Sequence, residues 1–399
     1  MSSYNFGREY LLLGLRMGKL IEGFVDAYYG PSELKELVGN EKPPSPKNLL
    51  NSCRNLQKKL GDQGFIEERV KFLEKILSAI ETSLKINLGE EIPYLEKVKR
   101  LYDIKPELIN DSIFYKLAEK LDSIYQGSGT LIERYNAFKE KHDIPLERLD
   151  YTFSQAFKIV RENTYETFPD LFPDSEEISF EFVKDKPWGA YNWYLGDFKS
   201  RIDINTDIPV DCVNILKLVT HEAYPGHHTE HAIKEKQLYI EQERFEHSIL
   251  LILTPETVIS EGIGNTAADV LFSDKEKGQL ILDHCCHNPS SEDLDVLIER
   301  YLGISKLPKL YNNLAIFAYE DEWSDDELVK YSLDFGFIPE ENVRQILKFI
   351  RHPLWSTYIF NYSIGEALVK EKFGEHPSSK DFKLLLTHPI LPSDLTKFK

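Results

Sequence analysis

The chain of 399 residues contains only four cysteines and has no long apolar run. Four thiols in a chain of this length do not form the dense disulfide framework of a small secreted domain, and they fit a reducing compartment. A membrane-spanning helix needs about 20 apolar residues. The longest early run, Leu11–Leu13, is too short even for a signal-peptide core. We therefore expect a cytoplasmic protein without a membrane partner.

Basic residues are also scarce, because 48 lysines and arginines face 66 aspartates and glutamates, which gives a formal net charge of -18. A nucleic-acid surface needs clustered basic side chains, so we expect no nucleic-acid partner. The sequence also lacks a glycine-rich phosphate loop and a GxSxG nucleophile elbow. The expected partner is a peptide or a small-molecule substrate, and the composition does not exclude a homodimer.

Helical periodicity dominates the sequence. Apolar residues recur at spacings of three and four, as in Val70–Leu84, which is typical of amphipathic helices. Residues 1–170 are predicted to be a helical N-terminal region, and residues 171–399 a catalytic region packed with it as one unit. Within the second region, Gly189–Gly196 and Ser200–Asn205 have the pattern of a hairpin. We therefore predict a mainly α fold with a small antiparallel sheet.

The stretch HEAYPGHHTEH, His221–His231, contains four histidines and two glutamates within eleven residues. A zinc hydrolase of the HExxH type has two histidines four residues apart on one helical face. Here the fourth place is Pro225, and the next histidines follow six and seven residues after His221. On a regular helix, six residues turn by about 600°, and seven residues span about 10 Å. A shared metal ion therefore requires a distorted helix.

Pro225 and Gly226 supply a cause for that distortion. Proline lacks the amide hydrogen that would bond to the His221 carbonyl, and glycine tolerates backbone angles that other residues avoid. If both residues bulge out, His227 takes the place of the second histidine. We therefore predict His221 and His227 as metal ligands and assign His228, the reserve ligand, to substrate binding.

A third ligand is expected on the helix predicted over Thr254–Phe272. Its apolar residues share one face, and Glu261 lies roughly opposite them, beside small residues that allow a close approach to the metal helix. A carboxylate completes the ligand set of many zinc hydrolases. Glu261 is therefore the predicted third ligand.

The stretch His221–His231 contains a second motif, because residues His227–His231 also fit the pattern HxxEH. In that arrangement His227 and His231 bind the metal and Glu230 is the base. No helix distortion is needed, but His221 and the Pro-Gly pair then have no role. The residues alone leave both ligand sets open.

The stretch HEAYPGHH resembles the HExxPGHH signature of a family of zincin-like proteins of unknown function. Weaker similarity covers Ser260–Gly262, Asn361–Gly365 and the strand that ends in Asn205, and Phe24–Pro31 resembles a subgroup feature. The family is similar to the thermostable carboxypeptidase Taq and thimet oligopeptidase groups, which carry Gly-His at the second ligand.

The resemblance implies a zincin-like metallopeptidase fold in which His221, His227 and Glu261 hold one Zn²⁺. It also implies that Glu222 is the general base and that Tyr358 or Tyr362 donates a hydrogen bond to the oxyanion. The implied function is a zinc-dependent peptidase of the carboxypeptidase or oligopeptidase type.

Two further side chains are predicted to bind substrate. Tyr191, with Trp188 and Trp193, is expected to line the cleft, and Arg351 is expected to bind a C-terminal carboxylate. Two other functions stay open from the sequence. One is a metal-dependent amidase or esterase that acts on a non-peptide metabolite, and the other is a non-catalytic binding protein with a relict metal site.

Overall fold

The computed structural model describes residues 3–186, 188–207, 210–287, 289–290 and 293–397. It is mainly helical, with 64% helix and small sheets, so the predicted mainly α class is confirmed. None of the helices in these ranges combines the length and the apolar character that a bilayer crossing requires.

The bounds of the regular elements are as follows. The α-helices are α1 (Ser3–Leu20), α2 (Ser32–Asn40), α3 (Pro46–Leu60), α4 (Glu67–Asn87), α5 (Tyr94–Tyr102), α6 (Ser112–Ile124), α7 (Leu131–His142), α8 (Leu146–Thr167), α9 (Cys212–Glu222), α10 (His227–Lys234), α11 (Glu256–Leu271), α12 (Asp274–Leu280), α13 (Leu294–Ile304), α14 (Leu307–Tyr319), α15 (Asp325–Leu333), α16 (Glu340–Arg351), α17 (Phe360–Phe373), α18 (Ser379–Thr387) and α19 (Pro392–Lys397). The strands are β1 (Val25–Tyr28), β2 (Glu177–Val183), β3 (Ala190–Gly196), β4 (Lys199–Asn205) and β5 (Ile249–Leu251).

The larger sheet has the strand order β2-β4-β3. Strands β3 and β4 pair antiparallel, as the predicted hairpin requires. Strand β2, however, pairs parallel with β4, so the prediction of an antiparallel sheet is wrong and the sheet is mixed. The burial of the strands explains this order, because β4 is almost wholly buried and lies at the centre, whereas β2 is half exposed and forms an edge.

The two predicted regions share secondary structure and a core. Strand β1, from the N-terminal region, pairs antiparallel with β5, with Val25 opposite Leu251 and Tyr28 opposite Ile249. One apolar cluster joins Leu77 of α4 to Leu314 of α14. The N-terminal region therefore contributes directly to the fold around the histidine cluster.

Helices α9, α11 and α17 position that cluster. The side chain of Asp211 caps the start of α9 by accepting hydrogen bonds from the backbone amides of Val213 and Asn214. Helix α11 crosses α17 in direct backbone contact, since a β-carbon on Gly262 would lie 2.6 Å from the carbonyl oxygen of Gly365. The two weaker stretches of the resemblance, which contain these glycines, meet at this crossing.

Candidate metal centre

The histidine motif spans two helices rather than one distorted helix. Helix α9 ends at Glu222, and α10 begins at His227, so the predicted bulge is replaced by a complete break. Gly226 has a φ of -77°, which other residues also adopt. A β-carbon at Gly226 would instead overlap the carbonyl oxygens of Thr220 and His221. Glycine is required here because the chain folds back against the end of α9.

This break brings the three predicted ligands together. His221, His227 and Glu261 each offer one ligand atom, and these atoms lie within 4.8 Å of one another. The two imidazole rings have centroids 4.6 Å apart, and Nε2 of His221 lies 3.4 Å from Oε2 of Glu261. Two imidazoles and one carboxylate are a donor set that suits zinc and leaves a position for water.

One atom of this group accepts no hydrogen bond in the described structure. Glu261 is 4% exposed, and its Oε2 is buried without a hydrogen bond in the described structure. A buried carboxylate oxygen that accepts no hydrogen bond is costly. A metal ion held by His221, His227 and Glu261 would satisfy this oxygen, so the residues fit such an ion.

A chain of hydrogen bonds orients His227 through its Nδ1 atom. The hydroxyl of Ser260 lies 3.1 Å from Nδ1 of His227 and donates to Oε2 of Glu230 at 2.6 Å. The other oxygen of Glu230 accepts from Lys234 at 2.6 Å. Because Ser260 donates to the carboxylate, it accepts from Nδ1–H, which leaves Nε2 of His227 as the metal-facing atom.

The two ligands of the alternative motif, His227 and His231, also converge within 4.8 Å with its predicted base, Glu230. Both oxygens of Glu230 are already bound by Ser260 and Lys234, so this carboxylate is poorly placed to act as a free base. The contacts therefore favour His221, His227 and Glu261 as the ligand set.

Negative charge surrounds the two ligand histidines. Burial disfavours the charged form of His227, but Glu230, Glu261 and Glu222 outweigh it and raise the pKa of His227 to about 9. Burial opposes ionisation of Glu261, yet His221, His227 and the Tyr358 hydroxyl lower its pKa. The site thus favours bound positive charge, which a proton or a metal ion can supply.

Tyr358 and Tyr362 occupy different places in the centre. Tyr358 donates a hydrogen bond to Oε1 of Glu261 at 2.7 Å. Tyr362 also lines the cavity, and its hydroxyl has no hydrogen bond within the described residues. Burial and the charge of Glu261 raise the pKa of both phenols. Both groups therefore stay protonated donors, but only Tyr362 has its hydroxyl available.

The ligands open into a cavity of about 1140 Å³. Glu222 lines it, and the side-chain amide of Asn192 donates to the Glu222 backbone carbonyl at 2.6 Å. Trp188 and Tyr191 line the cavity as predicted. Trp193 does not, because its indole N–H is bound to Asp203 at 2.9 Å.

Two predicted substrate-binding residues lie elsewhere. His228 is fully buried, with Nδ1 2.9 Å from the Ser200 hydroxyl and Nε2 3.1 Å from Glu176. Arg351 lies outside the cavity lining. Its guanidinium donates hydrogen bonds to Asp325 at 3.0 Å and to two backbone carbonyls. The structure therefore does not bring either side chain to the cavity, because both are paired within the fold.

Sequence reasoning missed Glu176, which anchors the break between α9 and α10. Its carboxylate is 2% exposed and accepts hydrogen bonds from Tyr224, His228, Tyr165 and Arg161. Burial opposes the ionised form, but these donors outweigh it and hold the pKa of Glu176 far below its usual range. Tyr224 and His228 flank the Pro-Gly turn, so Glu176 fixes that turn from both sides.

Asp26 was missed as well. It lies on β1 and reaches the metal cavity, where the hydroxyl of Tyr191 donates to its carboxylate. Burial raises the pKa of Asp26 to about 6, against the opposing effect of Tyr191. The stretch Phe24–Pro31, which resembles a subgroup feature of the family, contains Asp26. Nothing in the local pattern of that stretch shows that β1 pairs with β5 far along the chain.

Comparisons with known proteins add little to this description. No family model matches the chain, and no curated protein matches it. A structure described as "the putative lipoprotein from Colwellia psychrerythraea" is similar at 13% identity and a TM-score of 0.48, covering 91% of this chain and 68% of that one. A "putative lipoprotein of unknown function from Shewanella oneidensis" is similar at 10% identity and a TM-score of 0.49, covering 98% and 81%. Likeness at this level assigns no function.

Proposed function

We propose that the protein is a zinc-dependent peptidase of zincin-like fold. The observation that carries the proposal is the convergence of ligand atoms of His221, His227 and Glu261 within 4.8 Å, with a buried Glu261 oxygen that accepts no hydrogen bond. Four free cysteines support action in a reducing compartment such as the cytoplasm.

When bound, a zinc ion supplies Lewis-acid chemistry and makes water nucleophilic at neutral pH. Glu222 lines the cavity next to the first ligand and makes no side-chain hydrogen bond or ion pair within the described residues. It is therefore free to accept the proton of the attacking water and to return it to the leaving amine. Tyr362 donates a hydrogen bond to the developing oxyanion. Tyr358 instead orients Glu261.

The position of β3 favours an extended substrate. This strand is an edge of the larger sheet, and its first residues, Ala190, Tyr191 and Asn192, line the cavity. A peptide can add to such an edge through backbone hydrogen bonds. Trp188 and Tyr191 then provide apolar surface for its side chains. A peptide is therefore the proposed substrate.

Metal analysis of purified protein, beside His221→Ala and His231→Ala, tests the ligand set. About one equivalent of zinc is expected in the wild type and in His231→Ala, but not in His221→Ala. Zinc that survives His221→Ala and is lost in His231→Ala would contradict the proposal.

Glu222→Gln tests the reaction. This variant should keep its zinc but lose hydrolysis of a mixed peptide library followed by mass spectrometry. Loss of a general base costs about 10²–10⁴-fold in rate. Undiminished hydrolysis by Glu222→Gln would show that another group is the base. A wild type that holds zinc and cleaves no peptide would refute the peptidase assignment.

A further inference from the structure

The charges in the metal cavity are distributed unevenly. Eight lining side chains are carboxylates and two are lysines, Lys186 and Lys348. Both lysines are exposed, so they lie at the rim, and no arginine lines the cavity within the described residues. A substrate carboxylate would thus find no lysine or arginine inside the cavity, whereas a substrate cation would find several carboxylates.

Most interior acids already have a partner. Glu230 is paired with Lys234 at 2.6 Å, Glu256 lies 3.6 Å from His247, and Glu261 belongs to the metal group. Asp26 differs from these residues. It accepts a hydrogen bond from neutral Tyr191, and it has no ion pair with a lysine or an arginine in the described part of the chain. Asp26 is partly buried, and a partly buried carboxylate is stabilised when a cation joins it.

A second polar group in the same cavity lacks a donor. Asn192 is 7% exposed, and its Oδ1 has no hydrogen-bond partner in the described structure. Its orientation is fixed, because Nδ2 donates to the Glu222 backbone carbonyl. An unpaired, buried carbonyl oxygen requires an N–H or O–H donor.

Both groups project from strands, and one hydrogen bond orients each of them: Tyr191 donates to Asp26, and Asn192 donates to the Glu222 backbone carbonyl. Asp26 lies where the register of the β1–β5 pairing shifts, between Val25 and Ala27, which pair with Leu251 and Leu250. Strand β3 places Tyr191 and Asn192 in pairs with Asp203 and Ile202 of β4. Two acceptors that line one cavity suit a ligand with several donor hydrogens and a positive charge. A primary ammonium group has this chemistry.

We propose that Asp26 and Asn192 form a subsite for the protonated amine of the substrate. The inference rests on the proposed hydrolase function and deepens it. It assigns recognition to the amino-terminal end of a peptide, and it therefore disfavours a carboxypeptidase. The free amine binds at Asp26, while the first peptide bond lies at the metal centre next to Glu222.

Binding of matched peptides to Glu222→Gln tests the subsite without turnover. Isothermal titration calorimetry compares a tripeptide that has a free amine with its N-acetyl form and with its C-terminal amide. Acetylation should weaken binding by about 30-fold or more, as expected when one partner of a buried charge pair is removed. Amidation should change the affinity by less than about threefold, because the two lysines at the rim are exposed and water screens their charge.

Asp26→Asn, added to Glu222→Gln, should reduce the affinity for the free-amine peptide to that for the acetylated peptide. Asp185→Asn is the matched control, since Asp185 also lines the cavity but is exposed, and it should leave the preference intact. Equal binding of the free and acetylated peptides would overturn the proposal, as would a preference that survives Asp26→Asn.

The same titrations are repeated after zinc removal. If the protein binds no zinc, the hydrolase proposal fails, but an Asp26-dependent preference for the free amine in the metal-free protein still supports the subsite. If zinc is bound and neither peptide form binds, the subsite is refuted while the metal centre stands.

Discussion

Replacing Glu176 by glutamine should destabilise the protein and weaken its metal centre together. Glutamine keeps the shape of the side chain but offers one carbonyl oxygen instead of two carboxylate oxygens. In the structure, Oε2 accepts from Tyr224 and His228, and Oε1 accepts from Tyr165 and Arg161. In the variant, the amide group must face one of these two pairs of donors.

The expected magnitude follows from those contacts. Each hydrogen bond to a charged group contributes about 1.5–3 kcal/mol, and two of them lose their acceptor. Arg161 is 44% exposed, so water screens its share of the loss. We therefore expect the free energy of unfolding to fall by about 3–5 kcal/mol, which is the usual cost of breaking a buried charged contact. Because Glu176 holds the Pro-Gly turn, zinc affinity should also fall, by about 10–100-fold.

Urea unfolding followed by circular dichroism, together with competition for zinc against a chelator, measures both effects. Glu177→Gln is the matched control, since Glu177 is 70% exposed and only reaches Lys199 at 3.7 Å. It should change the stability by less than about 0.5 kcal/mol. If Glu176→Gln unfolds at the same urea concentration as Glu177→Gln, the cluster around Glu176 does not stabilise the turn.

The pH dependence of the stability of wild type and Glu176→Gln adds an independent check. The pKa of Glu176 is lower in the folded protein than its ordinary value of 4.5. The contribution of ionised Glu176 to the free energy of unfolding is therefore complete above about pH 5.5, and it is lost progressively as the pH falls below about 4.5. The stability difference between wild type and Glu176→Gln should shrink in acid. A difference that grows on acidification would contradict the assigned ionised state.

Three further changes address the metal centre. Gly226→Ala should abolish zinc binding, measured by metal analysis, since its β-carbon would overlap two backbone carbonyls. Gly61→Ala is the control and should keep its zinc, because a β-carbon there would meet nothing within 4 Å. Tyr362→Phe should keep zinc and lower kcat by about 10²–10³-fold, and an unchanged kcat would exclude it as the oxyanion donor. Tyr358→Phe should instead weaken zinc binding by about 10–100-fold, and an unaltered affinity would show that Glu261 needs no support.

Local patterns predicted the helices and the hairpin well, because helix and hairpin signals extend over neighbouring residues. The mainly α class and the pairing of β3 with β4 are confirmed. The parallel pairing of β2 with β4, and the pairing of β1 with β5, depend on contacts between distant segments. A periodic pattern identifies a strand, but it does not specify the strand's neighbour.

The site shows the same limit. His221, His227 and Glu261 were predicted from spacing, from the Pro-Gly break and from the resemblance, and the structure brings them together. Glu176 and Asp26 were missed because their partners lie about 50 and 165 residues away. His228 was assigned to substrate because it neighbours a ligand in the sequence, yet its side chain points into the core. Adjacency along a helix does not imply a shared direction.

The two overlapping histidine motifs need not compete. In the proposed ligand set, His227 is the only metal ligand that belongs to the HxxEH motif. Glu230 then supports it through Ser260 and is itself neutralised by Lys234. This arrangement accounts for a fully buried glutamate beside the ligand without making it the base. It also explains why Glu222, whose side chain has no partner in the described residues, is the better candidate for proton transfer, since a base must be free to exchange its proton.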